Sequence, residues 1–423
     1  MRPQSAVWPM RNNSTIKYGR GKVARFPLLG IGLLLMLAGI WGGLLRLGWP
    51  WAAGFPRVIS DHGAIMIGGF LGTLLTLERA VAIRGRWCYL APLASGAGGI
   101  LLILGGPTRW GAGLILLASA IMVIDFLVIM RRQFNFFTLT MAAGAAAWLT
   151  GNMLWFSGWA IPDLVFWWMA FLILTIAGER LELSRLMPPT PSRVWTFVTA
   201  SAVLVIGLLL TLAMPGPGEA IAGLGMLGLA VWLVIHDIAR RTIHAHGLTH
   251  FVAACLLPGY FWLAVGGLLA VWFTWLGPVL HGSGIDGAEV FAGYQYDAIL
   301  HAIFLGFVFG MIFGHAPIIF PAVLGVRMRF SRFSYTHLAL LEVSVFWRIM
   351  ADICGSWPGR KWAGLLNAAA IILFFINTVR SVRFQSEPAG IMPENIEPMD
   401  STEGYPITLF QRMETGDGES DNR

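Results

Sequence analysis

A chain of 423 residues in which 57% are hydrophobic and only 12% charged is not an ordinary water-soluble globule, whose charged share is about twice as large. The net charge of +7 comes without a basic patch interleaved with aromatics, which argues against nucleic acid as a partner and for charge used to orient a membrane protein. Cys88, Cys255 and Cys354 lie far apart with no C-x-x-C pair, so they supply neither a disulfide framework nor a thiolate metal site.

The chain opens with a basic arm, residues 1–25, carrying Arg2, Arg11, Lys17, Arg20, Lys22 and Arg25. About twelve apolar runs follow over residues 26–382, each long enough to cross a ~30 Å hydrocarbon core as a helix. They begin near Phe26, Asp61, Tyr89, Trp110, Phe136, Ile161, Val194, Ala220, Phe251, Tyr296, Tyr335 and Trp362. The first run, Phe26 to Leu47, exceeds a signal-peptide core and lacks an A-x-A site, so it reads as an uncleaved span. Residues 383–423 are acidic and polar, the composition of a disordered tail.

Lys and Arg alternate between the connections. Arg84 with Arg86, Arg131 with Arg132, Arg180 with Arg185 and Arg193, Arg240 with Arg241, and Arg327 with Arg329 and Arg332 fall on one side, together with the arm. The stretch from Gly277 to Gly293 and the turn around Pro215 have neither residue. Arg46, Arg57, Arg109, Arg360 and Lys361 are exceptions on the other side. The expected fold is therefore an all-α, multi-pass helix bundle of about twelve transmembrane helices with both termini cytoplasmic, surrounded by membrane lipid.

Polar side chains inside such spans are costly unless they face the bundle interior and find partners. Glu78 with Arg79 ends the second run, and Glu179 with Arg180 ends the sixth; these read as paired or snorkelling charges at the inner face. Asp125, Asn152, Glu342, Arg348 and Asp352 lie within or near spans, where structural pairing and a proton or ion path are both open readings. Histidine stands apart, because neutral imidazole ligates metals and haem and can be buried without a charge. The topology places His62 and His301 in an outer layer and His315 and His337 in an inner one. His301 and His315 are only ~40° apart around a helix axis but ~21 Å apart along it, too far to share one metal and suited to two stacked sites. Gly306, Gly310 and Gly314 on the tenth run and Gly68, Gly69 and Gly72 on the second leave room for a flat group or for close helix packing. His236, His244, His246 and His250 lie beside Arg240 and Arg241 and read as a solvated loop more readily than as a metal cluster.

Several short motifs carry a resemblance. "HAIFLGFVFGMI" at His301, "GYFWLAVG" at Gly259, "TIAGERL" ending the sixth run, and His62 with Gly69 and Phe70 downstream resemble the NnrS family, twelve-span bacterial membrane proteins that contain haem and copper and are linked to nitric oxide. The chain departs from the family's His-x-His-Glu at Ala64 and Ile65, and Leu257 stands where a further His is expected before Gly-Tyr. The resemblance implies haem ahead of copper, with His62 and His301 as ligands, a bacterial inner-membrane location, and a role in nitric oxide metabolism or nitrosative stress. It does not extend to His315 or His337. Two other readings stand beside it. One is a two-haem electron-transfer protein or quinol oxidoreductase with a quinol or redox partner, in which His315 and His337 hold the inner haem. The other is a transporter in which Glu342, Arg348 and the histidines line a proton-coupled path.

Overall fold

The computed structural model describes residues 25–383 except 53, 56, 84, 185–189, 281–292 and 325. The expected basic arm up to residue 24, the acidic tail from 384 onward, Arg84, Arg185 and most of the cation-free stretch before Gly293 lie outside the described residues. Long helices follow one another in the expected order. They are α1 (Arg25–Arg46), α2 (Arg57–Ile83), α3 (Trp87–Ile103), α4 (Thr108–Arg132), α5 (Phe136–Phe156) and α6 (Ile161–Leu183). After them come α7 (Pro191–Thr211), α8 (Pro215–His236), α9 (Gly247–Val279), α10 (Tyr294–Pro321), α11 (Ser334–Ile353) and α12 (Trp357–Ser381). Among the described residues, 9 helices are long and apolar enough to cross a membrane. The other three are α3, which is short, α5, interrupted by Thr138, Thr140, Thr150 and Asn152, and α11, which carries Glu342, Arg348 and Asp352.

Several helices start earlier than their apolar runs, and proline explains most of the difference. Pro191, Pro215 and Pro358 occupy the first turns of α7, α8 and α12, where a missing N–H costs nothing and a fixed φ favours helix. Helix α9 accommodates Pro258 internally. Helices α2 and α10 both loosen into π-helical turns, over Ile65–Leu71 and Ala302–Phe309.

Burial identifies the centre. Helix α6 is apolar all round and 78% buried over its most hydrophobic window, against 33% for α4, α7 and α12, so it forms the core against which the others pack. Trp148 of α5 stacks on Phe171 of α6 at 4.7 Å, and Asn152 of α5 accepts a 3.0 Å bond from Trp168 Nε1. Large apolar side chains such as Trp110, Trp195, Trp362, Phe333 and Phe346 are exposed on the outer surface, as lipid contact allows and water would not.

Glycines set the spacing of the second half. A Cβ on Gly207, Gly218 or Gly225 would overlap the backbone of Ala222, Thr211 or Leu204 across the α7–α8 contact, and Gly223 and Gly267 meet backbone to backbone between α8 and α9. Gly306, Gly310 and Gly314 face α9, against Trp262 and Cys255. Gly68, Gly69 and Gly72 meet Ile115, Gly99 and Ser95. Both glycine series therefore serve close helix packing and hold no room for a flat group. Adding one methyl at Gly225 forces the α7 backbone away and should cost about 1–3 kcal/mol. Gly30→Ala, with nothing within 4 Å of the new methyl, should be neutral. Thermal unfolding of the two detergent-solubilised variants checks this, and equal midpoints would refute the close α7–α8 approach.

Candidate functional site

At the end of the bundle where α1 finishes and α2, α10 and α12 begin, a cavity of about 580 Å³ is lined by His62, His301, Met66, Arg46, Arg348 and Phe304, among others. That volume lies within the range of small-molecule and cofactor sites. The two histidines expected in the outer layer thus face one space. Each sits just before a π-helical turn, His62 ahead of Ile65 and His301 ahead of Ala302. Such turns insert an extra residue, re-aim the helix face, and occur frequently at functional sites.

Proton placement follows from the partners. Nδ1 of His301 lies 2.7 Å from the carbonyl oxygen of Asp297, and Nδ1 of His62 lies 3.3 Å from that of Ile59. A carbonyl can only accept, so in both rings Nδ1 bears the proton and Nε2 keeps its lone pair. This is the orientation in which a histidine ligates a metal while its other nitrogen is fixed by the backbone.

Beside His301 four charged side chains compensate one another. Arg348 Nη2 lies 2.5 Å from Asp297 Oδ2, and Arg360 pairs with the same oxygen. Asp352 Oδ1 lies 2.6 Å from Arg360 Nε and its Oδ2 3.4 Å from Arg348 Nε. Arg348 also donates to the Arg360 carbonyl at 3.0 Å, and Arg360 covers the Tyr294 ring at 4.3 Å. Asp297, His301 and Asp352 bring potential donor atoms within 4.8 Å of one another. The two guanidinium groups already neutralise both carboxylates, which makes this a structural charge cluster and a poor cage for a divalent ion.

The inner layer divides. Nδ1 of His315 donates to the Met311 carbonyl at 2.7 Å, and its Nε2 faces Arg180 Nη1 at 3.4 Å, so its lone pair is already engaged by a cation. His337 accepts at Nδ1 from Asn377 Nδ2 at 3.1 Å, which puts its proton on Nε2. Its ring is packed among Phe251, Phe313 and Phe374. The void beside it measures about 30 Å³, room for a water and far too small for a porphyrin. These two histidines are not brought into a shared cofactor cavity.

The charged span ends do meet. Arg79 of α2 pairs with Glu179 of α6, and Arg180 binds Asp237 through two bonds of 2.7 Å. Glu342 accepts a 2.7 Å bond from Trp262 Nε1 and not from Arg348, because residues four apart face each other on a helix and residues six apart do not. Asp297 and Arg360 were not expected at the site. The one signal was positional: Asp297 precedes His301 by one turn, and Arg360 and Arg46 break the charge rule on the side where the cavity lies.

The fold and this cavity define a polytopic helical membrane protein with a histidine-lined chamber at one end of its bundle. A family described as a domain of unknown function (DUF8744) has a model that matches residues 25–383, and the chain belongs to that family. No curated protein matches the chain.

Truncating Arg348 leaves Asp297 and Asp352 with one guanidinium between them. Arg348→Ala should lower stability by about 3–5 kcal/mol, as removal of one partner of a buried pair does. Thermal unfolding in detergent reads this directly, and a midpoint unchanged from the parent would show that the cluster carries no structural load.

Proposed function

We propose that this protein is a haem-binding membrane protein whose haem occupies the α1–α2–α10–α12 cavity with His62 and His301 as ligands, and that it acts in nitric oxide metabolism or resistance to nitrosative stress. The observation that carries the reading is the pair of imidazoles lining one cavity, each with Nδ1 tied to a backbone carbonyl and Nε2 left open. The likeness of the His301 and Gly259 motifs to the NnrS family supports the link to nitric oxide.

The residues present fit the group. The cavity is of cofactor size, its walls include apolar Phe304, Phe309 and Leu300, and Arg46 is an exposed cation on its lining suited to a propionate. Bound there, a haem supplies an iron centre for electron transfer or for a diatomic ligand such as nitric oxide. The chain's own part is to hold and tune that centre. The Asp297 carbonyl fixes the His301 ring, and the Asp297 side chain is in turn held by Arg348 and Arg360, so ligand orientation and the charge cluster are mechanically joined. The apolar walls limit water around the two imidazoles. Met66, one turn beyond His62 and on the same cavity wall, adds a thioether that suits copper should copper bind. We read all twelve long helices as spans of a bacterial inner membrane with both termini cytoplasmic.

The decisive measurement is the visible spectrum of the purified chain, oxidised and dithionite-reduced, with pyridine haemochrome and copper content per chain. A haem signal is expected that His62→Ala or His301→Ala removes or shifts and His315→Ala leaves intact. Protein from a haem-replete host carrying neither haem nor copper would sink the reading, as would a signal lost with His315 alone. A fluorescent reporter that folds only in the cytoplasm, fused after Arg423, is expected to be bright; a dark fusion that a periplasmic reporter replaces with activity would reverse the orientation.

A further inference from the structure

The opposite end of the bundle holds a second hollow, of about 670 Å³, between the start of α7 and the residues that follow α8. Five of its lining side chains are basic or can become so: Arg193, His236, Arg240, Arg241 and His244. Its one acid among the described lining residues, Asp237, is already spent. Both of its oxygens accept from Arg180 at 2.7 Å, and Oδ1 also accepts the Ala239 N–H at 2.7 Å. Arg240 and Arg241 are exposed and pair with no carboxylate among the described residues. The hollow is therefore an uncompensated concentration of positive charge.

Arg193 makes it a built site and not merely a basic surface. Its side chain is buried, with 7% of the residue exposed, and its guanidinium is held rigidly. Nη2 donates to the Ser184 and His236 carbonyls at 3.2 and 2.9 Å, and the group lies over the Trp232 ring at 5.8 Å. Its Nε–H has no hydrogen-bond partner. A guanidinium fixed in this way holds its positive charge at the wall of the hollow with little conformational freedom left to lose on binding. Thr190, at the N-terminus of the 21-residue helix α7, lines the same hollow and adds the partial positive charge of a helix start. The chemistry selects an oxyanion, and a phosphate group above all, since guanidinium groups match its geometry.

The surroundings indicate where that phosphate comes from. Ile235 lines the hollow and is half exposed, and Val231 and Val234, also exposed, share its face of α8. An apolar stripe thus runs from the lipid-facing surface straight to the basic hollow. We propose that the hollow binds the phosphate of an anionic phospholipid whose acyl chains lie along Val231, Val234 and Ile235. This assignment is independent of the haem reading, and it gives the arginines that follow α8 a role beyond orientation.

The test uses the full chain in detergent, titrated with phosphatidylglycerol, phosphatidylcholine or inorganic phosphate and followed by native mass spectrometry and thermal unfolding. Phosphatidylglycerol is expected to be retained and to raise the midpoint, and phosphatidylcholine to do neither. The double variant Arg240→Gln/Arg241→Gln, altered only at exposed positions, should keep the lipid-free midpoint and bind phosphatidylglycerol roughly fivefold more weakly for each cation removed. Equal binding by parent and variant overturns the site. Inorganic phosphate that stabilises the parent as strongly as phosphatidylglycerol, with the effect lost in the variant, overturns the lipid and assigns the hollow to a free phosphate.

Discussion

The structure depends on one constraint: a charge or strong dipole at membrane depth must find its partner inside the bundle. The chain meets much of it by gathering its ion pairs into two clusters, with Glu342 held apart from both by Trp262. At one end Asp297, Asp352, Arg348 and Arg360 compensate one another across α10, α11 and α12. At the other, Arg79 with Glu179 and Arg180 with Asp237 tie α2, α6 and the end of α8 together. Between them the middle of α6, from Leu164 to Leu174, is buried and almost wholly apolar. Four ionised groups in balance cost far less than any one left alone, so a helix that moved out of register would strand a buried charge.

The same rule separates four histidines that look alike in the sequence. What distinguishes them is which nitrogen carries the proton and what the other nitrogen meets. His62 and His301 give their protons to backbone carbonyls and turn free lone pairs to a cavity. His315 turns its lone pair to Arg180, and His337 is locked by Asn377 among phenylalanine rings. Of the four, His62 and His301 are the two whose hydrogen bonding leaves a lone pair without a partner in a cavity wall.

Much of this was legible in the chain because the signals are local. Apolar runs gave the helices in order, and the alternation of Arg and Lys placed His62 and His301 at one end and His315 and His337 at the other. Glu78–Arg79 and Glu179–Arg180 were recognisable as charges that needed partners, although not as partners of each other. The remainder arises from contacts between helices distant in sequence. Asp297 looks like an ordinary first-turn acid, and nothing near it names Arg348 or Arg360, 51 and 63 residues away. The π-helical turns after His62 and His301 are invisible for a different reason, since a uniformly apolar run reads as helix whichever period it adopts. Glu342 and Arg348, neighbours in the sequence of α11, point to different partners because their spacing does not fit a helical pair.

The asymmetry between the two ends bears on what the protein can do. A two-haem electron-transfer protein needs carriers at both depths, and among the described residues His315 and His337, the pair expected to hold an inner haem, share no cavity of cofactor size. At the other end His315 faces Arg180, Glu179 and Asp237 are held in ion pairs, and the hollow beside them is basic. A proton-coupled path would need exchangeable groups between the two clusters. There Glu342 is the one carboxylate in the middle of α11, held by Trp262, and the core of α6 beside that depth is hydrocarbon. The arrangement that remains is a chamber at one end, steered by His62 and His301 and braced by a charge quartet, on a bundle whose other end is anchored by fixed charges.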